Sequence, residues 1–481
     1  MFDFDDFDEP TGRDGLRDLV ESYEQSLSGD APSFFDSDAL EEIATYYFED
    51  ARYDDALDVV DRQLSQGAPS SDTWMRRGVL LNHLDRHDEA LEAYDQALQL
   101  NPVDTETLIN RGVTLDTLGR ADEALADYER ALDVDPFLGD AHFNRGIALE
   151  KLGQYEAAAA ALETCAERDP EHPEVWYELG YCYDQLERLD EAVQAYDKQI
   201  DLDPYAHNAW YNRGIVLNRM GEYEKAVASY DYATLILDGF ASAWYNRGNA
   251  LANLGDHTGA IESYLKVLEY EDGDAATYYN LGIAYDELGD HTTAADYFRR
   301  AIHDDPSYAD AFYGLGCALD SLNDGPGALR AFTDAIALEP NEAEFWHARA
   351  DAEYNAGQLA EALRSYMETV RLDPRNTSAW LDLAETRMEA GQPAEALAAF
   401  AHVVRLEPES SEAHLRQAWA LASVGQRENA ARSLRRAAEL DPDRADEIRR
   451  AYPDLWPEAR RGFRGGNLPG GSLPGRSSDE R

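Results

Sequence analysis

The chain has 481 residues, 96 of them acidic and 42 basic, for a formal net charge of −54 at pH 7. That balance leaves no basic stripe to displace counterions from a phosphate backbone, so nucleic acid is not an expected partner. A hydrophobic content of 44% is ample for a packed core, which assigns the acid to a folded surface and not to general disorder.

Residues 1–36 read as an acidic, aromatic arm. Phe2, Phe4 and Phe7 alternate with acids, and Leu16, Leu19, Val20, Tyr23 and Leu27 trace the apolar side of a helix expected to cover the segment that follows. The first ten residues have neither the positive charge nor the apolar stretch of a secretory leader. No run of 18 apolar residues occurs, so a cytoplasmic protein without membrane insertion is predicted.

From residue 37 to 444 one pattern returns every 34 positions, twelve times, the first copy being degenerate. Counting each copy from Ser37, Ser71, Thr105 and so on, position eight is small: Gly78, Gly112, Gly146, Gly180, Gly214, Gly248, Gly282 and Gly316, then Ala350, Ala384 and Ala418. Position four is bulky, as in Trp74, Trp176, Trp210, Trp244, Trp346 and Trp380. Together with position eleven these make an i, i+4, i+7 stripe, the mark of one helix face. A second stripe runs through position twenty, which is Ala in every copy, and position twenty-four, which is mostly Tyr or Phe. Gly at position fifteen predicts the turn between the two helices, and a terminal Pro stops the second. Where Asp238 and Asp272 replace that Pro, the following Gly239 and Gly273 are expected to supply the left-handed residue that ends the helix.

Residues 445–460 are assigned a C-terminal capping helix, formed by Ala445–Tyr452 around Ile448 until Pro453 breaks it. Residues 461–481 are rich in Gly, Pro and Arg and are expected to be disordered. The basic residues are almost all Arg, since the only lysines are Lys151, Lys198, Lys225 and Lys266. An acid-rich, Lys-poor surface resembles that of proteins from salt-in halophiles, where molar salt shortens the Debye length to about 3 Å. Cys165, Cys182 and Cys317 have no paired spacing and are expected to be reduced and buried.

The 34-residue pattern resembles the tetratricopeptide repeat. The resemblance implies an all-α fold: an α-solenoid of about twelve stacked helix-turn-helix units, wound as a right-handed superhelix with the first helix of each unit lining a concave groove. It also implies that positions two, five, six, nine, twelve and thirteen face that groove. Position five then supplies Phe143, Tyr177, Tyr211, Tyr245, Tyr279 and Tyr313, position six supplies Asn110, Asn144, Asn212, Asn246 and Asn280, and Asn249 joins from position nine. Asn offers a donor and an acceptor to an extended peptide backbone, and Tyr adds flat area with a hydroxyl. The acids at position twelve (Asp116, Glu150, Asp184, Asp286 and Asp320) would suit a segment with basic and apolar residues. The family's clamp for acidic chaperone tails wants Lys at position five, which never occurs here.

No enzyme is predicted. Gly314-Leu315-Gly316 lies inside a helix and lacks the third glycine of a dinucleotide site, and there is no nucleophile elbow, phosphate loop or zinc-protease motif. His257 and His291 share a repeat position but offer two imidazoles without a third ligand, so neither a metal nor a cofactor is expected. The function read from the sequence is a non-enzymatic scaffold or adaptor for a protein segment. The alternatives are a substrate-recruiting subunit of a separate enzyme, such as a protein glycosyltransferase, and a self-assembling solenoid. The oligomeric state is left open.

Overall fold

The computed structural model describes residues 10–27, 34–67 and 70–460. The Phe-rich start of the arm and the 461–481 tail lie outside the described residues. The chain divides into two compact bodies, residues 1–250 and 251–481. Among the described residues there are 27 α-helices, one short 3-10 turn and no strand.

The N-terminal body opens with α1 (Pro10–Leu27) and continues as the pairs α2 (Ser37–Glu49) and α3 (Tyr53–Gln66), α4 (Ser71–His83) and α5 (His87–Leu100), and α6 (Thr105–Thr117) and α7 (Ala121–Val134). Next come α8 (Gly139–Lys151) and α9 (Tyr155–Arg168), α10 (Val175–Gln185) and α11 (Leu189–Leu202), and α12 (His207–Arg219) and α13 (Tyr223–Ile236). The seventh repeat gives α14 (Ala241–Asn253) and α15 (His257–Tyr270). The C-terminal body continues with α16 (Ala275–Glu287) and α17 (His291–Asp304), α18 (Ala309–Ser321) and α19 (Gly325–Leu338), and α20 (Ala343–Asn355) and α21 (Leu359–Leu372). It ends with α22 (Thr377–Glu389) and α23 (Pro393–Leu406), α24 (Ser411–Ser423) and α25 (Arg427–Leu440), α26 (Ala445–Ala451) and α27 (Trp456–Arg460).

The turn inside each repeat follows from position fifteen. All eight glycines there take a left-handed φ, between 71° and 80°. In the third repeat Gly119 N–H donates to Asp116 C=O and Arg120 N–H to Leu115 C=O, the paired bonds that satisfy the last carbonyls of a helix. The four repeats without Gly make the same turn with Ala51, Asp85, Glu187 and Asn323, at φ of 55° to 61°. Sequence alone gave no sign of that strain.

Position eight is small because a ring of the paired helix lies against it. A Cβ added to Gly214 would stand 2.6 Å from Tyr230 Cε1, and one added to Gly316 would stand 2.4 Å from Phe332 Cε1. Those rings fill the centre of each repeat: Tyr94, Tyr128, Tyr196, Tyr230, Phe298, Phe332 and Phe400 are all fully buried. Position four has a second role besides packing. The indole N–H groups of Trp176, Trp210, Trp346 and Trp380 donate to the carbonyls of Pro170, Pro204, Pro340 and Pro374, at 2.9–3.1 Å, so each Trp fastens the turn that precedes its own helix.

Two expectations need correction. Gly239 and Gly273 do not take positive φ, and α13 and α15 end at the same repeat position as the other second helices. The Trp244 indole donates to Asp238 C=O at 2.8 Å, so the turn keeps this bond without the Pro. Gly273 is closely packed instead: a Cβ there would stand 2.4 Å from Leu268 Cδ2 and 2.6 Å from Tyr278 Cζ. The C-terminal cap is two short helices and not one: past Pro453, α27 lays Ala459 on α25, and Arg435 Nε donates to Ala459 C=O at 2.7 Å. At the other end α1 buries Val20 and Tyr23 against the first repeat, with Tyr23 edge-on to Phe35, while Leu27 is left exposed.

Candidate peptide-binding face

Each of the twelve residues assigned to the groove lies on the first helix of its repeat and is half-buried. Nine belong to the N-terminal body. Tyr279, Asn280 and Tyr313 belong to the C-terminal body.

In the N-terminal body the structure joins position five of one repeat to position six of the next. Asn212 Nδ2 donates to Tyr177 Oη and Asn246 Nδ2 to Tyr211 Oη, both at 3.0 Å. Asn110 makes the same step to a softer acceptor, Met75 Sδ at 3.8 Å. The cause is helical geometry: residues 35 apart sit one repeat on and one residue round, which brings an amide of one first helix over the ring of its neighbour. Position five of the preceding repeat is Ile109 for Asn144, so that step has no hydroxyl to offer. In the C-terminal body the step recurs as His347 Nε2 to Asp382 Oδ2, 2.9 Å.

The Tyr rings rest on the core. Tyr177 and Tyr211 lie edge-on or tilted against the buried rings of Tyr196 and Tyr230, and Tyr211 also meets Phe240 at 4.7 Å between centroids. Phe143 packs on His172 at 4.3 Å. In the C-terminal body Tyr279 packs on Phe298 and Tyr308, whereas Tyr313 stacks on Phe345 and donates its hydroxyl to Glu344 at 2.9 Å. The aromatic stripe is thus held from behind, and the hydroxyls of Tyr177, Tyr211 and Tyr313 take part in bonds between repeats.

The position-twelve acids are less free than their count suggests. Asp184 is paired with Arg219, which also reaches Glu187 at 2.5 Å. Asp286 Oδ1 lies 2.7 Å from His291 Nδ1, so His291 is a carboxylate partner. Burial raises the Asp116 carboxyl, and one of its oxygens is buried with no hydrogen-bond partner. Glu178 stands at position six of the fifth repeat, where neighbouring repeats have Asn, and burial together with the charge of Glu150 raises its carboxyl.

Sequence reasoning missed one periodic series, an Arg at position seven. Arg77, Arg213 and Arg247 reach back to Asp61, Asp197 and Asp231 of the preceding repeat at 2.6–2.7 Å. Arg111 bonds Asp95 behind it and clasps the buried Asp127 with two bonds of 2.7 Å. The 34-residue recurrence of Arg was the signal that could have revealed this ladder. Cys165 and Cys182 are buried in one cluster and Cys317 is half-buried. Burial pushes these thiols up, to about 11, about 12 and about 11, which keeps them protonated. No described helix is long and apolar enough to cross a membrane.

Family models described as tetratricopeptide repeat match residues 145–207, 211–276, 245–309, 279–343 and 313–377. Further models of the same description match residues 70–136, 353–418, 127–160 and 411–444. A search among curated proteins gave no match. Among solved structures the chain is similar to MamA, with 27% identity over 34% of this chain and 94% of that one and a TM-score of 0.33. It is also similar to YrrB, described as a TPR protein with an unusual peptide-binding site, with 24% identity over 42% and 96% and a TM-score of 0.35. A third likeness is to the APC/C hetero-tetramer Cut9-Hcn1, with 15% identity over 85% and 94% and a TM-score of 0.41.

Proposed function

The chain belongs to the tetratricopeptide-repeat family, and from that premise we propose that it is a non-enzymatic scaffold or adaptor that holds an extended segment of a protein partner against the first-helix face of its repeats. The observation that carries this reading is the pair of rungs Tyr177–Asn212 and Tyr211–Asn246. They fix four side chains before any ligand arrives, so little rotamer entropy is lost on binding. Each Asn spends one amide hydrogen on its rung, and the second hydrogen and the carbonyl oxygen suit a peptide backbone of any sequence.

Magnitudes assign the aromatic stripe a share. The four position-six Asn of the N-terminal body, at about 0.5–1.5 kcal/mol each, give roughly 2–6 kcal/mol before association costs, and micromolar binding needs about 8 kcal/mol net. Apolar contact with Phe143, Tyr177 and Tyr211 supplies the difference. The partner segment is therefore apolar with a few basic residues, the latter meeting acids such as Asp116 and Glu150.

The test compares wild type with a Tyr211→Ala, Asn212→Ala, Tyr245→Ala, Asn246→Ala variant in affinity capture at native salt, with circular dichroism as the control for folding. The variant is expected to keep wild-type helicity and lose the captured partner. Recovery of the same partner by both proteins would overturn the proposal.

A further inference from the structure

Three side chains in the C-terminal body converge where the position-five to position-six step carries an imidazole and a carboxylate in place of Tyr and Asn, and a second carboxylate joins them. His347 and Asp351 are one turn apart on α20, at positions five and nine, and Asp382 comes from position six of the next first helix, α22. His347 Nε2 lies 2.9 Å from Asp382 Oδ2 and 3.8 Å from an Asp351 carboxylate oxygen, and one ligand atom from each residue falls within 4.8 Å of the others.

A proton satisfies this arrangement only in part. A single Nε2–H serves the oxygen at 2.9 Å but cannot also bond one at 3.8 Å, and an imidazolium facing two carboxylates leaves a net charge of −1. A divalent cation bound to a neutral imidazole and both carboxylates makes the group neutral. The spacing is close to that need. A tetrahedral zinc ion with bonds of about 2.0–2.1 Å sets its ligands roughly 3.3 Å apart, within reach of small side-chain rotations here.

The surroundings hold the ligands as outer partners do in metal sites. Tyr366 Oη donates to Asp351 Oδ1 at 2.6 Å, Ser378 Oγ donates to Asp382 Oδ2 at 3.3 Å, and the Tyr366 ring stands edge-on to the His347 imidazole. Half-burial leaves His347 and Asp382 reachable from solvent, and Asp351 is exposed. One imidazole with two carboxylates is a donor set for zinc and similar first-row ions rather than for calcium or magnesium, which prefer oxygen alone.

We propose that His347, Asp351 and Asp382 form a site for a divalent transition-metal ion of the zinc class, joining the first helices of the tenth and eleventh repeats and leaving a coordination position open to water. Sequence reading missed it because the three ligands become a set only when residues 35 apart are stacked.

The experiment uses the full chain, stripped of metal with a chelator, at pH 7.5 in about 1 M NaCl, where a Debye length of about 3 Å suppresses diffuse ion binding to the acidic surface. Co2+ is titrated by its visible absorption and Zn2+ by calorimetry. One equivalent is expected to bind, with His347→Gln and Asp382→Asn each weakening it at least about tenfold. His291→Gln, which removes an imidazole paired with only one carboxylate, should leave binding unchanged. As a second readout, Zn2+ should raise the thermal midpoint of wild type but not that of Asp351→Asn. Absence of one-to-one binding by the wild type overturns the proposal whatever the variants do, and so does binding that is indifferent to His347→Gln.

Discussion

Glu178 shows how one residue can depart from its repeat and change its chemistry. Its carboxyl is pushed up to about 8, first by burial and then by the charge of Glu150, whose own carboxyl burial also raises. In the unfolded chain a Glu titrates near 4.3, so between about 4.3 and about 8 the folded state binds more protons than the unfolded one. The stabilisation is full below the unfolded value and is lost as pH rises through the folded one. Glu178→Gln removes the proton linkage. The stability of wild type relative to this variant should therefore fall as pH goes from about 5 to about 9, read from thermal midpoints across that range. A difference that does not change with pH would show that the two carboxyls do not share a proton. The substitution of Glu for Asn was visible in the sequence, but the shift was not, because it depends on burial between stacked repeats and on the charge of Glu150 arriving from the preceding one.

The helix pair is the element in which sequence and structure agree most closely. Gly at position fifteen announced the turn, and all eight such glycines are left-handed. Ala51 makes the same turn at φ 55° and is exposed. A left-handed conformation costs a residue with a Cβ about 1–2 kcal/mol, and the extra freedom of Gly in the unfolded chain takes back about 0.5–1 kcal/mol. Ala51→Gly is thus expected to stabilise the chain by about 0.5–1 kcal/mol in denaturant or thermal melts. An unchanged or lowered stability would show that the turn relaxes in solution. Between pairs the sequence was less explicit. Trp at position four reads as an apolar residue, yet its N–H closes the neighbouring turn, and the Tyr and Asn read as ligand-facing hold each other. The apolar period determines which face is turned inward, but a hydrogen bond needs a partner whose distance only stacking fixes.

At the scale of the whole molecule, charge is the dominant fact. The net −54 is spread over a chain in which a position-seven Arg ladder neutralises only some of the acid. Exposed pairs of this kind are worth about 0–1 kcal/mol each, so they do not offset the summed repulsion at low salt. Dialysis from about 1 M salt into water is expected to reduce the helical circular dichroism signal. Full retention would remove the support for a salt-adapted protein. The sequence by itself determined the repeat, its helices, its internal turns and the family, because these rest on local periods and on backbone conformations that particular residues favour. Tertiary structure alone decided which residues meet from one repeat to the next: Asn212 on Tyr177, Arg213 on Asp197, and the His347, Asp351 and Asp382 cluster. Such meetings depend on the rise and rotation from one pair to the next, a quantity set by packing across the interface and written in no single 34-residue segment.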